Sequence, residues 1–327
     1  MTSKGINTWQ AGLSKHLQEL AMTAAISFWV AQIIGNSMGT MLALCLLCHP
    51  LACLPAAVFL LLQVAIVVLP VGEAPVLIQR AIHYSVQSAL TYFSCRVTVE
   101  DADALKPGQA YVVGLEPHSA LPVALPMVFT DHCDLLPKGL RGIKILAHTA
   151  ALYMPATRHF WWWLGVRPID KANIHKLLAA NISVVLVPGG VSECMVMKQG
   201  QEVMYLRKRL GFVRLALNHG APLVPAFAFG QSDTYSWIRP GPQYVADFFR
   251  RVLGFVPLLM WGIWYSAVPY KVPVHVVIGT PVLLPQMDNP TDEEVQQYLD
   301  MYITAMEKLC ERYKHETGHD DMQFQVV

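Results

Sequence analysis

The chain has 327 residues, of which 54% are hydrophobic and 14% charged, against about 25% charged in an ordinary soluble protein. Its formal net charge of +1 supplies no field that would gather nucleic acid, which sets that class of partner aside. The 7 cysteines are odd in number and lack framework spacing, so no disulfide scaffold is implied.

Between residues 17 and 79 there is no lysine or arginine, only the acids Glu19 and Glu73. Runs over 24–48 and 51–71 are each long enough for a hydrocarbon core of about 30 Å, which takes about 20 helical residues. His49 and Pro50 form the turn between them, and Pro55 and the trio Gly35, Asn36 and Ser37 are places where a helix can kink. The sequence therefore predicts a cytosolic segment over 1–20, a transmembrane helical hairpin over 21–72 and a folded domain over 73–327. Two full spans and a hairpin held within the bilayer both satisfy the pattern. Lys4 and Lys15 precede the pair, Arg80 and Arg96 follow it, and the positive-inside rule puts both termini in the cytosol. A cleaved signal peptide does not fit so long an apolar region. Cys45, Cys48 and His49 match the C-x-x-C-H haem pattern, but inside an apolar run they read as packing residues. The sequon at Asn181 and Ser183 reads as chance on a cytosolic domain.

Past the hairpin, strands are expected at 109–115, 143–147, 183–188, 223–229 and 274–279, and helices at 76–94, 118–129, 172–180 and 202–218. A last helix over 291–313 opens on a capping box, Thr291 with Glu294. Alternation of this kind predicts an α/β domain whose largely parallel sheet is covered on both faces. The apolar stretch 252–268, broken by Gly254, Pro257 and Gly262, reads either as core or as a membrane-associated piece. Trp261, Trp264 and Tyr265 suit the headgroup level. Trp161, Trp162 and Trp163 carry the same ambiguity.

Functional groups in such sheets gather at the carboxyl ends of strands. One strand runs into Glu116, Pro117, His118 and Ser119, and a histidine there can act as general base because its ordinary pKa of about 6.5 lies near working pH. Another runs into Pro188, Gly189 and Gly190, then Glu193; two glycines let backbone amides approach a ligand closely. Alone, the first could be a surface histidine and the second a plain turn.

Together, the blocks carry a resemblance. Glu116 to Ser119 resembles the E-P-H-S block of plant and algal type-2 diacylglycerol acyltransferases, where animal members have H-P-H-G. Pro188, Gly189 and Gly190 with Glu193 are similar to that family's P-G-G block and its later glutamate. Further matches follow in order: the basic helix from Arg209 to Leu217, the strand and loop with Leu223, Pro225, Phe229 and Gly230, and the Arg239 to Pro242 block. Leu164 to Asp170 resembles a block of the wider glycerolipid acyltransferases, and the whole resemblance spans roughly residues 20 to 316. Phe59 to Leu62 resembles a neutral-lipid motif that almost any membrane helix could supply.

The resemblance implies a glycerolipid-acyltransferase-like α/β fold, a mixed, largely parallel sheet flanked by helices and preceded by an N-terminal transmembrane helical hairpin. It implies an enzyme of the endoplasmic-reticulum membrane or lipid droplet that moves a fatty acyl group from acyl-CoA to the free hydroxyl of diacylglycerol. Monoacylglycerol and fatty alcohols are the alternative acceptors, and a non-catalytic lipid-binding membrane protein is the rival of another class. Val123 stands where the wider group has an aspartate five residues after the histidine, and Glu116 replaces the first histidine of the animal motif. His118 therefore needs another acid, for which the pattern implies Glu193, with Glu116 second. Glu116, Pro117, Ser119, Pro188, Gly189 and Gly190 would line the substrate site. Arg207, Arg209 and Arg214, with Lys208, would receive CoA phosphates, unless they form a solvated helix face. His219 and Cys194 receive no role. No cofactor beyond acyl-CoA as co-substrate and no metal are expected; the partners are acyl-CoA, diacylglycerol and membrane lipids, with homo-oligomers compatible.

Overall fold

A computed structural model describes residues 15–152 and 157–327. Lys4 and most of the expected segment 1–20 lie outside the described residues. The chain begins with α1 (Lys15–Leu46), turns at His49 and Pro50, and returns through α2 (Cys53–Val68). The side-chain amide of Gln63 donates to Asn36 Oδ1 at 3.0 Å across the pair, the kind of polar tie that holds helices together where apolar packing is not distinctive. Among the described residues no single helix is long and apolar enough to cross a membrane. By length and composition one bent pair is, Glu19–Gln32 with Gly35–Leu46, angled by 41° beside the glycine where the sequence places a kink. Met38, Met41, Leu42, Leu54, Leu61 and Leu62 are all exposed on this hairpin, far more contiguous apolar surface than water tolerates.

The elements that follow are α3 (Val76–Tyr92), β1 (Arg96–Val99), β2 (Val112–Glu116), α4 (Ala124–Val128), β3 (Lys144–Ala147), α5 (Thr149–Leu152), α6 (Thr157–Trp163), β4 (Val166–Pro168), α7 (Lys171–Ala179), β5 (Val184–Leu186), α8 (Glu193–Val196) and β6 (Glu202–Met204). Then come α9 (Leu210–His219), β7 (Leu223–Phe229), β8 (Ser236–Ile238), α10 (Gln243–Leu253), β9 (Leu259–Trp261), β10 (His275–Ile278), α11 (Asp292–Tyr313) and β11 (Phe324–Val326). Seven strands make the main sheet in the order β1-β10-β7-β2-β5-β3-β4. Every neighbouring pair is parallel except β10 with β7. Alternate side chains of each strand feed opposite cores: Val224, Ala226 and Ala228 of β7 face α1, α3 and α4, while Leu223, Phe227 and Phe229 face α7, α9 and α11. Burial on both sides explains why the central strands read as unbroken apolar runs.

Two expected helices are corrected. Over 118–129 only α4 is helical, because Pro117 and Pro122 lack amide donors and Ser119 is left-handed with φ 55°. The stretch 202–218 opens instead as β6, which pairs in parallel with β11, and the helix starts at Leu210. The expected helix at 291–313 forms with both hydrogen bonds of its capping box. Within 252–268 the chain makes β9, antiparallel to β8, and a tight turn.

Candidate active site

β2 and β5 lie side by side, so their carboxyl ends deliver the two glutamate-bearing loops to one place. Gly114 is required on the way. A Cβ there would lie 2.0 Å from the Tyr302 hydroxyl and 2.9 Å from Pro188, and that hydroxyl donates to the Gly114 carbonyl at 3.1 Å. Past Glu116 the turn is clamped by Gln231, whose amide donates to the Pro117 carbonyl at 2.5 Å and whose Oε1 accepts from the Ala124 amide at 2.9 Å. Gly189 is equally constrained, since a Cβ would meet Glu193 Oε2 at 2.2 Å. Gly190, with φ 52°, makes the left-handed turn into α8.

Glu193 reaches His118 through the main chain. The His118 amide donates to Glu193 Oε1 at 2.5 Å, across 75 residues, and the Tyr205 amide approaches Oε2 at 3.4 Å. The expected carboxylate-to-imidazole contact is not among the described hydrogen bonds. Instead, Nδ1 of the ring sits 2.9 Å from the Ser119 carbonyl and 3.4 Å from Cys194 Sγ. Glu116 and Glu193 are both fully buried. Burial first, and then the neighbouring Glu193, push the Glu116 carboxyl far above its ordinary range, as two carboxyls in one dry site must share a proton. The amide of Gly189 approaches Glu116 Oε1 at 3.4 Å, and Oε2 meets no hydrogen-bond partner among the described residues. For His118, burial opposes the charge, but the Cys194 sulfur and Glu193 outweigh it and the imidazole is raised to about 9.

Two side chains that no motif flagged complete the site. Glu202, from β6, accepts from the Ser232 hydroxyl at 2.9 Å, and Ser232 shares a hydrogen bond with Ser119 Oγ, also 2.9 Å. Burial raises Glu202 to about 7; the Ser232 bond lowers it, and the charges of Glu193 and Asp233 add to the rise. Ser119, Glu193, Glu202, Ser232, Asp320 and Trp237 are among the walls of a cavity of about 510 Å³, which Pro117 also lines, so both chain neighbours of His118 line it. Glu202 escaped the sequence reading because its strand partner, β11, lies over a hundred residues away and leaves no local pattern. Cys194 lay next to a flagged glutamate, but nothing in the sequence indicated that it meets the imidazole.

The three arginines do not converge. Arg209 turns into the site, donating to the Gly189 carbonyl at 2.6 Å and leaving Nε unpaired. Arg207 is exposed and its Nε reaches the Val326 carbonyl at 3.3 Å. Arg214 points away, to Asp292 and the Pro290 carbonyl at the start of α11. Among the described residues there is no group of three or more metal-ligating side chains.

The diacylglycerol acyltransferase family model matches residues 77–326. Diacylglycerol O-acyltransferase 2 of Xenopus tropicalis is 30% identical over 68% of this chain and 66% of its own length. The human 2-acylglycerol O-acyltransferase 3 is 32% identical over 65% and 67%, and human diacylglycerol O-acyltransferase 2 is 31% identical over 64% and 58%. The matched region thus spans about two thirds or less of these relatives. Among solved structures, the 1-acyl-sn-glycerophosphate acyltransferase of Thermotoga maritima superposes with a TM-score of 0.47 at 12% identity, covering 91% of this chain and 98% of that one.

Proposed function

This chain belongs to the diacylglycerol acyltransferase family, and on that premise we propose that it transfers a fatty acyl group from acyl-CoA to the free hydroxyl of diacylglycerol at the membrane of the endoplasmic reticulum. The observation that carries the reading is the convergence of the two motif loops, fixed by the His118 amide on the Glu193 carboxylate. In its neutral form His118 takes the proton from the acceptor hydroxyl, and that oxygen attacks the thioester carbonyl. The C–S bond breaks, and the imidazolium returns the proton to the departing CoA thiolate. Glu193 acts through the backbone, holding the loop that carries the ring against Cys194. Of the amides in the two loops, that of Ser119 is the candidate to hold the developing oxyanion, because those of Gly189 and Gly190 face Glu116 Oε1 and the Val187 carbonyl. Of the three arginines only Arg209 bonds to the glycine loop, through the Gly189 carbonyl, which makes it the cation best placed for a CoA phosphate.

A second reading has its own support. The cavity wall of Ser119, Ser232 and Glu202 can accept hydrogen bonds from an acceptor with more than one free hydroxyl, as a monoacylglycerol has. Membranes containing the chain, given labelled oleoyl-CoA and competing diacylglycerol, monoacylglycerol and long-chain alcohol, distinguish the acceptors. Labelled triacylglycerol should dominate, and His118→Ala should reduce it by about 10² or more. Product formation undiminished by His118→Ala would overturn the mechanism, and a dominant diacylglycerol product would replace the acceptor.

A further inference from the structure

The turn after β9 presents its two largest side chains to the outside. Trp264 is 90% exposed and Tyr265 86%, and both are left-handed, with φ 53° and 56°, a conformation that bulky residues rarely adopt. Backbone strain and exposed aromatic surface are both unfavourable in water, so together they indicate a tip shaped for another medium. The tip is also rigid. The Gly262 amide donates to the Ser266 carbonyl and the Ile263 amide to the Val268 carbonyl, each at 2.8 Å.

A second exposed surface adjoins the site. Along α10, Tyr244, Phe248 and Val252 recur every four residues and therefore share one face, and they are 74%, 59% and 61% exposed. Arg251 falls on the edge of that face by helical spacing and is exposed. The opposite face, through the buried Ala246, packs with Cys194 and Met197, directly behind His118. The base of the aromatic tip joins the apolar hairpin, because Met260 and Ala267 pack in one cluster with Val30 of α1 and with Leu121, three residues past His118.

We propose that the Trp264–Tyr265 tip and the Tyr244 face of α10 are seated in the membrane-water interface, so that the bilayer surface meets the protein beside the reacting site. The proposal rests on the hairpin being membrane-borne, with which the tip is continuous through Val30. The occupant is a lipid surface and not a protein: tryptophan and tyrosine prefer the headgroup level, and Arg251 at the edge of the apolar stripe suits phosphate groups. Acceptor lipid then reaches the site laterally, past Leu121, without crossing water.

The full chain is placed in phosphatidylcholine vesicles whose acyl chains carry bromine, which quenches nearby tryptophan. The fluorescence difference between the parent and Trp264→Phe isolates Trp264 among the 8 tryptophans. Quenching of that difference signal is the expected result. Its absence overturns the proposal, and so does quenching that vanishes as protein density rises, which would mean that a second copy covers the tip. Kinetics give an independent readout. Trp264→Asn with Tyr265→Asn keeps residues that tolerate the left-handed backbone; it should raise KM for vesicle-borne long-chain acceptor by about tenfold while leaving kcat and the KM for a water-soluble short-chain acceptor unchanged. Equal loss on both acceptors would assign the tip a purely structural role. If the chain transfers no acyl group at all, the quenching measurement still decides the membrane contact, so the two readings fail separately.

Discussion

A base must be neutral to accept a proton, and His118 sits where its charged form is favoured, with its imidazole raised to about 9 by Cys194 and Glu193 against the opposing effect of burial. At pH 7 only about one ring in a hundred is then free to act, so kcat/KM should climb about tenfold per unit between pH 7 and pH 9 and level off above. A profile flat over that range would remove His118 from the base role. Stability should run the other way. A raised histidine contributes fully below its unfolded value of about 6.5 and loses that contribution as pH rises towards 9. Glu202, raised to about 7 by burial, makes the folded state hold a proton more tightly than the unfolded one, so its effect on stability also falls as pH rises from about 4.5 through 7. Thermal scans should therefore show Tm declining between pH 5 and pH 9 while activity increases; a rising Tm would mean that other groups dominate. Burial and the neighbouring Glu193 push the Glu116 carboxyl well above its ordinary range, which favours its protonated form. Glu116→Gln resembles the protonated carboxyl that this shift favours and should keep the rate within a few-fold, whereas Glu193→Ala removes the oxygen that accepts the His118 amide and should be severely impaired. Equal damage from both would contradict a proton held on Glu116.

Arg214 shows how an element's neighbours redirect a side chain that sequence alone assigns elsewhere. Its guanidinium fastens α9 to the first turn of α11 through Asp292 and the Pro290 carbonyl. Arg214→Ala should therefore lower stability by about 0.5–1 kcal/mol, as for a partly exposed ion pair, and leave KM for acyl-CoA within twofold; a large KM rise with unchanged Tm would restore it to the CoA site. What the sequence discloses at this scale follows its periodicity. β2, β3, β5, β7 and β10 are legible because each is a buried apolar run ended by turn residues, and α11 because its capping box is local. β6 and β11 are three residues each and exist through mutual pairing across the chain, which no window on the sequence detects. His118 is legible because it follows the apolar run of β2, whereas the pairing with Glu193 is legible only through the resemblance of the two motif blocks. The hydrogen-bonded chain from Glu202 through Ser232 to Ser119 is hidden because it joins three segments far apart in the sequence.

For the molecule as a whole, the decisive relation is between the hairpin and the domain it precedes. Composition places a boundary near residue 73, yet Ile26 and Trp29 of α1 lie in the main core with Val86 and Ala89 of α3, so the hairpin and the domain share packing. At the far end of α2, Arg158 donates to the carbonyls of Ile66 and Leu69, at 2.9 and 2.7 Å, and the Trp163 indole donates to Gly72 at 2.9 Å. The first half of α1 and the last turn of α2 are thus both bound to the domain. The turn at His49 and Pro50 lies at the other end of the pair, where Leu51 and Leu54 are exposed. Held at both roots, a hairpin that enters a bilayer would do so by its tip, and the expected topology keeps both termini on the face that carries the domain. The absence of lysine and arginine from the returning turn predicts the cytosolic face by an unrelated argument. In sealed microsomes, protease added outside should remove tags from both termini, while a cysteine probe at Cys48 should react with a membrane-impermeant reagent only after the membrane is opened, or not at all if the tip stops within the bilayer. Protection of one terminal tag alone would require an odd number of crossings. That result would be incompatible with Arg158 and Trp163 holding one root of the hairpin while Ile26 and Trp29 hold the other.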